Sequence, residues 1–347
     1  MAAEGRVRLF MNRDSALATW RTLALTVEAE VGKAVIGVSR EIRLISIAVF
    51  ARGHVLLEGD VGVGKTTLLR AFARAIGGAY ERVEGTVDMM PADLVYHAYV
   101  TADGAPRIDP GPLVRNGERL AIFFFNEISR ARPQVQALLL RAMAERSVSA
   151  FNCEHRLPHL SVFADRNRVE KEETFELAAA ARDRFMFEVS VAMPVESTAL
   201  RALAFDPRFH DADRLIDGVA GGIVAYEALN DIAQTIQHGV RASDALQEYV
   251  LTLWRATREP DTVGVRIDGA TDLVLAGASP RGASQLMRAA RVVAWLDERD
   301  YLTPEDVRAV FFEAIAHRVF FNPVYEMRRG EIVREFVGQI LSKVAAP

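Results

Sequence analysis

The sequence predicts an α/β fold: a phosphate-binding-loop core built on a parallel sheet, followed by an α-helical domain. Three observations carry this expectation. Residues 54–67 read as a buried strand, a glycine-rich turn and a helix start in direct succession. Residues 121–125 are apolar throughout and end in Asn126 and Glu127, the pattern of a central parallel strand whose C-terminal edge faces a ligand. From Ser197 onward helical periodicity dominates, and no strand of parallel-sheet character is expected.

The chain has 347 residues, half of them hydrophobic, enough to bury a large core in two or three domains. One quarter of the residues are charged and the net charge is −4, so composition gives no bulk attraction to nucleic acid or an anionic membrane. A lone cysteine, Cys153, excludes an internal disulfide and fits a reducing compartment. The start lacks a charged segment followed by an apolar run, and no stretch of about 20 apolar residues occurs. A cytoplasmic protein without membrane insertion is expected.

In chain order, residues 14–31 place Leu17, Trp20, Leu23, Leu25 and Val27 among charges, as an amphipathic helix does, and residues 39–51 form a second, more apolar helix. Val55 to Leu57 supply the strand before the loop, and Leu68, Leu69, Phe72 and Ala73 the buried stripe of the helix after it, which ends at Gly77-Gly78. A short strand spans 81–83, and residues 88–93 read as a turn and helix start. Two hairpins follow from their turn residues: 96–100 with 105–108 about Asp103-Gly104, and 147–151 with 155–157. They are contact elements for a partner or simple surface excursions. Between them lies the apolar strand at 121–125. Residues 161–164 make another buried strand, ended by Asp165-Arg166-Asn167; residues 176–182 read as helix and 183–189 as strand. Pro194 marks a boundary, which gives domains at 1–195 and 196–347. In the second, Ser243-Asp244, Ser279-Pro280 and Thr303-Pro304 each start a helix.

The loop matches G-x-x-x-x-G-K-[ST] through Gly59, Gly64, Lys65 and Thr66, with Gly62 adding freedom for the backbone N–H groups to turn inward. Gly59, Asp60, Val61, Gly62, Val63, Gly64, Lys65, Thr66 and Thr67 are the expected nucleotide cradle. Lys65 bridges the outer phosphates and the Thr66 hydroxyl ligates magnesium. Lysine occurs at only four positions in an arginine-using chain, and one of them is here, where a compact point charge suits the chemistry. Glu127 is placed to polarise an attacking water. Asn126 stands where an aspartate is expected for the magnesium shell. Asn167 is either an amide aimed at the phosphate or a turn residue. Arg281, in the first turn of a helix, opposes the macrodipole, so an anion faces it, either ligand or carboxylate. Cys153, Glu154, His155 and His159 cluster in sequence, but a hairpin would alternate their faces, and no bound metal is expected there.

These residues resemble the MoxR family of AAA+ ATPases from about residue 25 to 330, nearly the whole chain. The resemblance is carried by Val31 to Gly37, Gly53 to Gly59, Asn126 to Ala131, Arg182-Asp183-Arg184-Phe185, Ala278-Ser279-Pro280-Arg281 and Ala316-His317-Arg318. Residues 123–128 and 163–173 look closest to the MoxR branch associated with methanol dehydrogenase maturation. The resemblance implies an AAA+ core with a helical lid, ATP and Mg2+ as ligands, and a hexameric ring with nucleotide between subunits. It also implies Asn167 as first sensor, Arg184 as arginine finger, Arg281 as second sensor, and the hairpins as the helix-2 insert and the hairpin before the first sensor. It implies further a chaperone-like remodeller with a von Willebrand factor A domain partner and a client metalloenzyme.

The family usually carries aspartate at the position of Asn126. Loss of that charge weakens magnesium-dependent affinity or rate by on the order of tenfold, which leaves slow ATP hydrolysis as the expected activity. A nucleotide-sensing regulatory subunit with little turnover is the alternative. A DNA motor is disfavoured by the charge balance, and a GTPase by the lack of an Asn-Lys-x-Asp segment.

Overall fold

The computed structural model describes residues 13–167 and 175–347. The part of the resembling run at 168–173 therefore lies outside the described residues. Two helices, α1 (Arg13–Ala34) and α2 (Ser39–Phe50), precede β1 (Val55–Glu58), the loop and α3 (Lys65–Ile76). Next come β2 (Ala79–Glu84), a single turn α4 (Pro91–Val95), the hairpin β3 (Tyr96–Val100) and β4 (Pro106–Pro110), β5 (Leu120–Asn126) and α5 (Pro133–Glu145). The hairpin β6 (Ser147–Ala150) and β7 (Cys153–Arg156), then β8 (Ser161–Arg166), α6 (Ala179–Arg182) and β9 (Phe187–Ser190) follow. The remainder is α7 (Ser197–Phe205), α8 (Ala212–Asp217), α9 (Leu229–Gly239), α10 (Asp244–Ala256), β10 (Val274–Ala276), α11 (Pro280–Leu296), α12 (Pro304–Ile315), β11 (Phe320–Phe321) and α13 (Arg329–Lys343).

Five strands form one sheet in the order β2-β5-β8-β1-β9, with every pairing parallel. Alternate residues feed two cores. Leu57, Ile122, Phe124 and Phe163 pack with α2, α3 and the C-terminal helices. Leu56, Phe123, Phe125, Val162 and Ala164 pack with α5. A strand covered on both faces must be apolar at every position, which is why 121–125 shows no alternation. The first hydrophobic cluster is continuous from Ala24 to Val344, and α8 and α9 lie back against α1 and α3.

Two expectations are adjusted and one helix is added. The helix expected over 176–182 is a single turn, α6. The strand expected from Asp183 begins only at Phe187, because the carbonyls of Asp183, Phe185 and Met186 are taken by the Arg318 guanidinium instead of a neighbouring strand. The sequence reading does not include α5, although Pro133 at its first position and buried Val135, Leu139, Ala142 and Met143 at helical spacing carry the signal. The C-terminal part holds one short antiparallel pair, β10 with β11, and is otherwise helical. Among the described residues no helix is long and apolar enough to cross a membrane.

Just before β1, His54 is buried, and its Nδ1 accepts the Val162 N–H at 2.9 Å while Nε2 faces the Met143 carbonyl at 3.4 Å. Burial, with Arg146, Arg52 and Arg288 nearby, pushes its pKa down to about 3. The folded value lies below the unfolded one, so the unfolded chain binds the extra proton and stability falls as pH drops below 6.5. At pH 5 this one group should cost about 2 kcal/mol. Urea unfolding midpoints measured between pH 7.5 and 5 should decline for the wild type and decline by about one proton less for His54→Gln.

Candidate active site

The loop is held open by backbone geometry. Gly62 and Gly64 have φ of +80° and +87°, a region that L side chains rarely adopt, and Gly64 caps α3 without any side-chain hydrogen bond. The first-turn N–H groups of α3 are thus left for an anion. Gly59 serves by its lack of a side chain, since a Cβ there would lie 2.3 Å from the Val191 carbonyl oxygen.

Lys65 is buried, and its ammonium donates to the Gly59 carbonyl at 2.8 Å and to Asn167 Oδ1 at 2.8 Å, with Asp165 Oδ2 at 3.1 Å. Three donors thereby meet three acceptors. Asn167 Nδ2 donates to Glu127 Oε1 at 3.2 Å, while Glu127 Oε2 pairs with Arg130 at 2.9 Å. Of the two roles open for Asn167, the structure places its amide between Lys65 and Glu127. Glu127 itself is left-handed, with φ of +54°, and its N–H donates to Asp165 Oδ1 at 2.5 Å. Such backbone strain in a non-glycine residue persists where surrounding contacts over-determine it.

Asn126 is buried at the end of β5, with its carbonyl accepting the Gly85 N–H at 2.8 Å. Thr66 and Thr67 stand half-buried in the first turn of α3, and Asp60 and Val61 are exposed at the loop tip. Asp165 is a residue that the sequence reading did not select. Burial raises its pKa, against the pull of the Glu127 N–H and Lys65. Its signal was an acid closing an otherwise apolar strand.

Arg184 and Arg281 are not brought to this cluster. Asp183 and Arg184 precede β9, whose Phe187 pairs with Val55 at the start of β1, whereas the loop follows the other end of β1. A four-residue strand separates the two edges by about 13 Å. Arg281 is with them: its guanidinium meets Asp183 Oδ2 at 2.9 Å, and Ser279 Oγ donates to Oδ1 at 2.6 Å. The anion facing that helix start is a carboxylate. Buried Arg318 pairs with the same Asp183 at 3.2 Å. Arg184 gives one N–H to the Ala180 carbonyl at 2.7 Å.

Beside the loop lies a cavity of about 450 Å³, which the sequence reading did not foresee. Val35, Val38, Gly64, Thr67, Val191, Met193, Leu203, Phe209 and Leu215 line it, and none of its lining residues is charged. Its size and apolar walls suit a purine base held by shape and main-chain groups, and it offers no carboxylate for a guanine amino group.

Comparison with known proteins agrees with this geometry. The profile of the ATPase family associated with various cellular activities (AAA) matches residues 54–187, and that of the AAA lid domain matches 270–336. Protein MoxR of Methylorubrum extorquens is 61% identical over 96% of this chain and 98% of its own length. Protein MoxR of Paracoccus denitrificans is 52% identical over 96% and 99%. The chain belongs to the MoxR family of AAA+ ATPases. Chaperone MoxR1 of Mycobacterium tuberculosis is a more distant relative, 31% identical over 92% of this chain and 81% of its own. A crystal structure of a Cytophaga hutchinsonii protein superposes with a TM-score of 0.81 at 28% identity and covers 95% of this chain and 97% of its own. The MoxR-family loop is thus seated between β1 and α3, with the ends of β5 and β8 alongside.

Because the Gly59 contact is backbone against backbone, Gly59→Ala should shift β9 or the loop and destabilise the fold by about 1–3 kcal/mol. The chemical denaturation midpoint measures this, and a midpoint equal to wild type would show that Val191 yields freely.

Proposed function

We propose that this chain hydrolyses ATP and uses the cycle to remodel a client protein, as a chaperone-like member of its family. The observation that carries the reading is the connected set Lys65, Asn167 and Glu127 at the end of three parallel strands beside an open phosphate loop. In this reading Lys65 neutralises the outer phosphates, Asn167 holds the terminal phosphate or the attacking water, and Glu127 polarises that water. Arg184 and Arg281, at the other edge of the sheet, complete the site of a neighbouring copy in a homo-hexameric ring.

The donor set also fits Mg2+. The Thr66 hydroxyl, the Asn126 amide and the Asp165 carboxylate are hard oxygen groups. Among the described residues no cluster of three or more His, Cys, Asp or Glu could hold a metal unaided, so the remaining oxygens would come from the nucleotide. When bound, the ion would supply charge neutralisation at the phosphates.

The resemblance to the two MoxR proteins supports maturation of a metalloenzyme such as methanol dehydrogenase as the task, with a von Willebrand factor A domain protein as partner and the cytoplasm as the location. A nucleotide-binding core to 195 and a helical lid from 196 is the division offered, with α8 and α9 as the joint between them. One observation favours the second reading, a nucleotide sensor with little turnover: Asn126 is buried at the strand end without a charge.

Turnover separates the two. Wild type should hydrolyse ATP slowly, Asn126→Asp should raise the rate by up to about tenfold, and Glu127→Gln should lower it by about 100-fold. Equal rates for wild type and Glu127→Gln would leave the sensor reading. Arg184→Ala should abolish turnover by the assembled ring while ATP binding persists; loss of binding in that variant would assign Arg184 to folding instead.

A further inference from the structure

The missing charge at Asn126 has a counterpart one strand away. We propose that Asp165 is the metal-shell carboxylate of this nucleotide site, in the role for which Asn126 lacks charge. The inference rests on the reading of the loop as an ATP site.

Strand parity places the two residues together. In β5, Ile122 and Phe124 face the α3 side of the sheet, and so does Phe163 in β8. The parallel register pairs Phe124 with Phe163 and Phe125 with Ala164. Continued by one step, it sets Asn126 beside Asp165 on the α3 face, with strands about 4.8 Å apart. On its other side Asp165 is in register with Leu57, two residues before Gly59. The carboxylate thus stands one strand closer to the loop than position 126 does.

Its present contacts explain how it would act. Oδ1 is occupied by the Glu127 N–H, which fixes the carboxylate, and among the described residues Oδ2 pairs with the Lys65 ammonium at 3.1 Å. Asp165 is 2% exposed. When phosphates draw Lys65 toward themselves, this carboxylate loses its counter-charge in a place where an uncompensated charge is costly. Bound Mg2+ would restore the balance. A purely structural counter-ion to Lys65 would instead oppose phosphate binding, because it competes for the same ammonium whether or not metal is present. The neighbouring amide of Asn126 can share the hydration shell.

The test is the ratio of ATP affinities with Mg2+ and with EDTA, measured by titration calorimetry on the full chain, with folding checked by thermal melts. The wild type should show a large ratio. Asp165→Asn should reduce it by about tenfold or more, chiefly through weaker binding with Mg2+. The exchange Asn126→Asp with Asp165→Asn should restore the ratio to within about threefold of wild type, since the charge returns to the adjacent strand end. An unchanged ratio in folded Asp165→Asn overturns the proposal. So does an equal change with and without metal that the exchange does not rescue, which is the outcome of a Lys65 counter-ion alone. If the single variant does not fold, the exchange decides: a ratio near wild type supports the proposal and a lost ratio overturns it. Absence of ATP binding by the wild type in either condition would overturn the ATP reading itself.

Discussion

The arrangement turns on one buried ammonium. Lys65 must be charged to meet phosphates, and a charge out of water has to be surrounded by acceptors. Those acceptors come from different places: the Gly59 carbonyl at the end of β1, and Asp165 and Asn167 at the end of β8. Asp165 and Asn167 in turn hold Glu127 at the end of β5. Satisfying one cation thus ties three strand ends to the loop, and it holds Glu127 in a backbone conformation that it would otherwise avoid.

A second node stands at the opposite edge. Asp183 receives Ser279 and Arg281 from the start of α11 and Arg318 from the turn that follows α12. Arg318 is fully enclosed, and burial lowers its pKa to about 10 even beside Asp183. Its other hydrogens go to carbonyls of the chain before β9, to the Ala314 carbonyl in α12 and to the Gln285 side chain in α11. This node fastens the lid-domain helices to the strand that neighbours β1. The sheet therefore carries a phosphate-directed cluster at one end and an arginine-rich cluster at the other, an arrangement that supports the reading in which adjacent copies share a site.

Much of this could be read from residue pattern. The loop, the buried strand ending in Asn126 and Glu127, both hairpins and the capped helices after 243, 279 and 303 depend on short-range spacing, which is present in the sequence itself. The strand over 183–189 was harder because its first half has the composition of a strand but spends its carbonyls on Arg318, a residue more than 130 positions later. The cavity beside the loop was not legible for the same reason: Val35, Val191 and Phe209 come from three separate segments.

The sequence alone determined the class of chemistry, because a phosphate cradle is local: the glycines, Lys65 and Thr66 lie within eight residues and need only a strand before them and a helix after. Only the tertiary structure decided which charges share that cradle. It placed Asp165 against Lys65, one residue past the pairing of Phe125 with Ala164, and it set Arg281 against Asp183 at the far edge. Strand order and register are products of the whole packed sheet, and a carboxylate one strand over is a neighbour in space that no local spacing encodes.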